Sequence, residues 1–242
     1  MAASSATSSA TPASTQAAPW TTTLPADPST ATSAPTKTEP TGIPKQTIPP
    51  VAGANVVQIV AQWIPFGDQR RSQMADYARR HYGSTSATLA PRVIVVHFTE
   101  SDTWQSAYST FSQNVANRGE FPGTCAHFVL DQSGVAHQLV PLDLMCRHTI
   151  GLNHVAIGIE VVQATHGNSS SWAEQQILGR PAQAQALVAL IRQLQGRYGI
   201  ATTDVIGHAE ANRHRLFTDL LGWRNDHTDW SMASMTTLRS RL

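Results

Sequence analysis

The chain has 242 residues, with 17 Lys and Arg against 16 Asp and Glu, a formal net charge of +1, and 41% hydrophobic residues. A charge this near zero lacks the electrostatic footprint of a nucleic-acid binder or of a protein drawn to an anionic membrane surface. No apolar run approaches the roughly 18–20 residues of a membrane helix, and two cysteines, Cys125 and Cys146, cannot build a Cys-rich zinc module or a disulfide-dense scaffold.

Two unlike pieces share the chain. Of the first 50 residues, 38 are Ala, Ser, Thr or Pro, and Trp20 is the only aromatic among them. Such a segment has too little apolar surface to offset the entropy of ordering it, which predicts disorder over residues 1–54. Ser/Thr-rich sequence with Pro suits an extended extracellular tether, with a cytosolic low-complexity tail as the other reading. The start, Met1-Ala2-Ala3-Ser4, has neither the basic nor the apolar region of a signal peptide, so an export signal is expected to have been removed.

The globular part, residues 55–242, is long enough for one well-buried core. Asp68 is expected to cap a helix that closes at Gly83, with Met74, Tyr77, Ala78 and His81 along one face. After Pro91, the β-branched run Arg92 to Phe98 reads as a buried strand. A second helix is expected from Trp104 to Val115. Strands Ala126 to Leu130 and Val135 to Val140 flank Asp131-Gln-Ser-Gly134, a hairpin pattern. Val155 to Val162 reads as another interior strand, and from Pro181 the residues Leu187, Leu190, Ile191, Leu194 and Tyr198 recur at helical spacing up to Gly199. The mixture predicts an α/β fold, a central mixed sheet with helices packed on its faces.

Ten histidines stand out, and their positions say more than their number. His97 ends an apolar strand, where an imidazole needs a partner or a metal. His208 follows the short run Asp204-Val-Ile-Gly207, and His227-Thr228-Asp229 lies near the C-terminus. Two histidines and a carboxylate form a common ligand set for catalytic zinc, although each histidine taken alone fits a structural role as well. The His-Glu-x-x-His helix of many metalloproteases is absent from the sequence.

Four motifs occur in order: Val93-Ile-Val-Val-His97-Phe-Thr99, Cys125-Ala-His127-Phe-Val-Leu-Asp-Gln-Ser-Gly134, Asn153-His-Val-Ala-Ile-Gly-Ile-Glu160 and Ile206-Gly-His208-Ala-Glu210. From about Pro91 to Trp230 the chain resembles the type 2 N-acetylmuramoyl-L-alanine amidases, the zinc family that includes bacteriophage amidase lysozymes and peptidoglycan recognition proteins. Ile64-Pro-Phe-Gly67, Met74 and His81-Tyr-Gly83 are similar to the lead-in of some bacterial members. The resemblance implies a mixed sheet flanked by helices, with zinc (Zn2+) at the foot of a groove.

Carried over residue by residue, the resemblance makes His97 and His208 zinc ligands and Asp229 the third, with His227 two residues before it as a catalytic group facing the substrate carbonyl. The family commonly continues its third ligand with Pro-Gly, whereas this chain continues with Trp230, which leaves Asp226 and His227 as rival ligands. Glu160 matches the catalytic acid-base position, with a carboxylate reaching solvent at a strand edge as the alternative. His148 and Asn153 match positions near the substrate groove. A turn role explains Asn153 equally well, and His127 is either a support of the site or a satisfied core histidine. In an exported protein Cys125 and Cys146 can pair, but spacing alone leaves this open.

The implied activity is zinc-dependent cleavage of the amide between N-acetylmuramic acid and L-alanine in peptidoglycan. A non-catalytic peptidoglycan-recognition module of the same fold is the alternative, and a zinc-stabilised hydrolase with another substrate is a third. The expected partner is peptidoglycan or a muropeptide, with no nucleic acid and no membrane span. A monomer, secreted or associated with the cell wall, completes the expectation.

Overall fold

In the computed structural model, which describes residues 56–242, six strands form one mixed sheet. The strands are β1 (Ile59–Ala61), β2 (Val93–Phe98), β3 (Phe128–Leu130), β4 (Ala136–Gln138), β5 (Ala156–Val161) and β6 (Val205–Gly207), in the order β1-β4-β3-β5-β2-β6. β2 runs parallel to both β5 and β6, and β3 runs parallel to β5. The expected hairpin is the one antiparallel pair, β3 with β4, and β1 adds to β4 in parallel. The linker expected over residues 1–54 lies outside the described residues.

Strand residues alternate between the two faces of a sheet. On one face, Ile94, Val96, Phe98, Ile157, Ile159, Val161 and Val205 join a single apolar core. That face is covered by three helices, α3 (Ser170–Gly179), α4 (Pro181–Tyr198) and α5 (Met232–Arg239). Leu187, Leu190, Ile191 and Leu194 of α4 are all fully buried there, as the helical spacing predicts. On the opposite face, Val93, Val95, Ala156 and Ile206 form a smaller core with Leu152, Val155 and Ala211. His97, Glu160 and His208 share the parity of that second face, at the C-terminal ends of β2, β5 and β6.

Helices α1 (Asp68–Tyr82) and α2 (Trp104–Ser112) complete the fold. Met74, Tyr77, Ala78 and His81 are buried on α1, and Gly83 closes it with φ 70°. Asp68 does not cap the helix. The cap position is Gly67, and Asp68 lies in the first turn, where a carboxylate still meets the positive end of the helix dipole. α2 stops before Val115 because Asn114 turns to φ 50° and its side-chain oxygen accepts the Gly123 N–H at 2.8 Å. No helix among the described residues is long and apolar enough to cross a membrane.

Cys125 and Cys146 are joined in a disulfide, with Cα atoms 5.7 Å apart. The bond ties the entry of β3 to the segment that carries His148, and the Cys125 N–H donates to the Arg147 carbonyl beside it at 2.9 Å. Closing this 21-residue separation is expected to stabilise the fold by about 3 kcal/mol. Urea unfolding of Cys125→Ala/Cys146→Ala should therefore show a midpoint shifted down by a stability loss of that order, against the oxidised parent.

Candidate metal centre and active site

Three carrier elements bring the candidate ligands together. His97 is the fifth residue of β2, His208 follows β6 directly, and Asp229 comes from the loop before α5. The loop is fixed on both sides of that carboxylate. The Ala209 N–H donates to the Asp229 carbonyl at 2.6 Å, Trp230 is fully buried, and Ser231 donates through its N–H (2.8 Å) and hydroxyl (2.6 Å) to the buried Glu174 carboxylate. Gly207 makes room for this path, since a Cβ there would lie 2.5 Å from the Trp230 carbonyl oxygen. Trp230 is thus a core anchor for the carboxylate residue it follows.

The Nδ1 atoms of His97 and His208 lie 3.1 Å apart. Asp229 places Oδ2 3.6 Å from the first and Oδ1 3.6 Å from the second. A tetrahedral zinc ion with bonds of about 2.0–2.1 Å holds its ligand atoms roughly 3.3–3.4 Å apart, close to the separations found here. Among the described residues this is the one such group of His, Cys, Asp and Glu donors. Asp226 is not part of it: its side chain is 69% exposed and pairs with Arg118 at 2.6 Å.

Burial and the neighbouring His208 push His97 down to about 4, which keeps its imidazole neutral at pH 7. Burial opposes ionisation of Asp229, but the two imidazoles that face it, His208 and His97, outweigh it and hold the carboxyl well below the usual carboxylate range. Neutral imidazole and ionised carboxylate are the forms that bind a metal. Glu160 stands beside His97 in the β2–β5 register. Burial, then the charge of Asp229, pushes its carboxyl up to about 8, and Oε2 is buried with no hydrogen-bond partner among the described residues. A buried carboxyl oxygen without a partner is costly, and this one belongs to the residue paired in register with His97.

His227 lies at the mouth, its side chain 58% exposed and its ring stacked on His208 with centroids 4.2 Å apart. Its Nδ1 is 3.7 Å from Asp229 Oδ1.

The two expected substrate contacts, Asn153 and His148, both have partners within the protein. Asn153 is 1% exposed, and its Oδ1 accepts the N–H groups of His148 (2.8 Å) and Thr149 (2.7 Å), so it holds a turn. His148 lies over Gly158, where a Cβ would come 2.6 Å from its ring. Both of its ring nitrogens are taken up inside the protein, Nδ1 near His97 Nε2 (3.2 Å) and Thr149 Oγ1 (2.8 Å), Nε2 near the Ala156 carbonyl (3.1 Å). His127 is a satisfied core histidine, engaged by the Gly158 N–H and the Leu144 carbonyl, both at 3.0 Å. Asn225, which carries no signal in the sequence, sits behind His208 with Oδ1 2.8 Å from Nε2.

Residues 87–226 match the family model described as N-acetylmuramoyl-L-alanine amidase. The matched span contains His97, Glu160 and His208 and stops short of Asp229, whose place in the centre comes from the geometry above. Comparison with curated proteins finds no match. Solved structures similar to this chain include the endolysin N-acetylmuramoyl-L-alanine amidase LysCS from Clostridium intestinale URNW, at 22% identity over 67% of this chain and 88% of that one, with a TM-score of 0.45. The catalytic domain of XlyA is 18% identical over 76% of this chain and 99% of that one, with a TM-score of 0.48. The Ph2119 endolysin from a Thermus scotoductus bacteriophage is 17% identical over 76% and 98%, with a TM-score of 0.47. The family match spans more than half of the chain, and the chain therefore belongs to the N-acetylmuramoyl-L-alanine amidase family.

Proposed function

We propose that this chain is a zinc-dependent amidase that hydrolyses the bond between the lactyl group of N-acetylmuramic acid and L-alanine of the peptidoglycan stem peptide. The observation that carries the reading is the convergence of two imidazole Nδ1 atoms and one carboxylate beside a buried carboxyl that has no partner. His97, His208 and Asp229 would hold the ion. When bound, zinc supplies a Lewis acid that polarises the scissile carbonyl and acidifies a water molecule.

Glu160 is the proton carrier in this reading. Its carboxyl is held by burial near neutrality, so it can take a proton from the attacking water and return it to the leaving amine of L-alanine. His227 stands at the open side of the centre, where an N–H can stabilise the oxyanion that develops at the attacked carbonyl. No nucleophilic side chain is needed, and the reaction is direct hydrolysis.

The Cys125–Cys146 disulfide and the Ser/Thr/Pro-rich residues 1–54 support work outside the cytoplasm, on peptidoglycan or released muropeptides. A tether would then keep the catalytic domain near the wall.

Release of new L-alanine amino groups from purified peptidoglycan is expected to stop with a zinc chelator and to return on adding zinc. Glu160→Gln should lower kcat by about 10²–10⁴-fold and keep one bound zinc per chain, which separates proton transfer from metal binding. Asp229→Ala should weaken zinc binding by more than the roughly 10–100-fold typical of outer partners, whereas Asp226→Ala leaves zinc content and rate unchanged. Equal losses in both aspartate variants would remove Asp229 from the centre.

A further inference from the structure

We infer that two hydrogen-bond relays preset both ligand histidines with their Nδ1 lone pairs facing the metal position, and that Asn225 and His148 are the positioning residues of these relays. The inference rests on the reading of His97, His208 and Asp229 as metal ligands and goes beyond it, because it concerns what prepares the site before any ion arrives.

The first relay starts at the Ile150 carbonyl, which can only accept. Asn225 Nδ2 donates to it at 2.8 Å, so the other end of that amide, Oδ1, faces His208 Nε2 at 2.8 Å. An amide oxygen carries no proton, and the contact is a hydrogen bond only if His208 holds its proton on Nε2. A neutral imidazole has one N–H, which leaves Nδ1 with its lone pair. Asn225 itself cannot swing away easily. Its N–H is held by Asn212 Oδ1 at 3.0 Å, and its carbonyl accepts from Asn212 Nδ2 at 2.8 Å.

The second relay starts at the Ala156 carbonyl. His148 Nε2 lies 3.1 Å from it and must donate, so His148 Nδ1 is an acceptor. His97 Nε2 lies 3.2 Å from that acceptor and 3.3 Å from Thr149 Oγ1. The Thr149 hydroxyl can donate to His148 Nδ1 while accepting from His97, so both contacts place the His97 proton on Nε2. Its Nδ1 is then bare as well.

Both relays start from carbonyls of one short segment, Ile150 and Ala156, and Asn153 clamps the residues that lead into it through the N–H groups of His148 and Thr149. The two lone pairs meet at 3.1 Å beside the Asp229 carboxylate, an arrangement that a bound cation relieves. An imidazole whose other nitrogen is held by an outer partner is the usual way a protein orients a metal ligand, and loss of such a partner costs about 10–100-fold in affinity.

The test has two arms. Long-range proton–nitrogen correlation spectra of metal-free, isotope-labelled protein at mildly alkaline pH report which ring nitrogen of each histidine carries hydrogen. Nε2–H forms for both His97 and His208 uphold the inference, and an Nδ1–H form at either one overturns it. In the second arm, zinc affinity is measured by competition with a coloured chelator. Asn225→Ala should bind zinc about 10–100-fold more weakly, while Asn225→Asp, which keeps an oxygen facing Nε2 but sets its other oxygen against the Ile150 carbonyl, should recover part of that loss. Unchanged affinity in Asn225→Ala, or an equal loss in Asn225→Asp, overturns the role of Asn225. Nε2–H forms without zinc binding by the parent would uphold the relays and sink the metal reading. Stoichiometric zinc with the wrong tautomers would do the reverse.

Discussion

The alternation of side chains along three parallel strands governs this structure. β2, β5 and β6 lie side by side and point the same way, so their C-terminal ends fall on one edge of the sheet. Every second residue on them faces α3, α4 and α5, and those positions are filled by Ile, Val and Phe, with Gly207 the exception. The remaining parity faces the thinner side of the molecule, and there the last residues are His97, Glu160 and His208. A one-residue slip of any of the three strands would turn its polar end residue into the apolar core. The register that packs the core therefore also assembles the centre. Gly158 and Gly207 serve the same geometry, leaving space over the sheet for the His148 ring and the Trp230 backbone.

Burial gives the centre its electrostatic character. Two imidazoles and two carboxyls share a site from which water is largely removed, and their protonation states are driven apart. His97 is kept neutral and Asp229 ionised, while Glu160, deprived of hydrogen-bond partners and exposed to the charge of Asp229, is pushed the other way. Two carboxyls with opposite tendencies are the pattern expected where one binds a metal and the other carries a proton. The contrast follows from position. Asp229 faces two imidazole nitrogens, and Glu160 extends from the middle of a sheet with Oε2 unpartnered.

Much of this arrangement is legible in the amino-acid sequence. The long α4 and the interior strands announce themselves by periodicity, and His97, Glu160 and His208 are conspicuous as polar residues closing apolar runs. Asp229 is harder to single out, since Trp230 replaces the usual continuation. The fold anchors that tryptophan in the core and turns Asp226 to solvent. Elements with a thin apolar stripe carry little signal. α5 buries only Ser234, Met235 and Leu238, α3 buries a glutamate among its few apolar residues, and β1 has three residues. Asn153, His148 and Asn225 show a different limit. Each meets a partner far along the chain, Tyr82, His97 and Ile150 respectively, and no local pattern encodes those meetings.

The central claim is that His97 and His208, through Nδ1, and Asp229 together form a zinc centre beside Glu160. Anomalous diffraction from crystals of the zinc-loaded protein at the zinc absorption edge tests it most directly. The account predicts a single strong peak within about 2.0–2.2 Å of both Nδ1 atoms and of an Asp229 carboxylate oxygen. A peak held by Asp226 or by Nε2 atoms, or no peak between the two histidines in a fully loaded crystal, would contradict it.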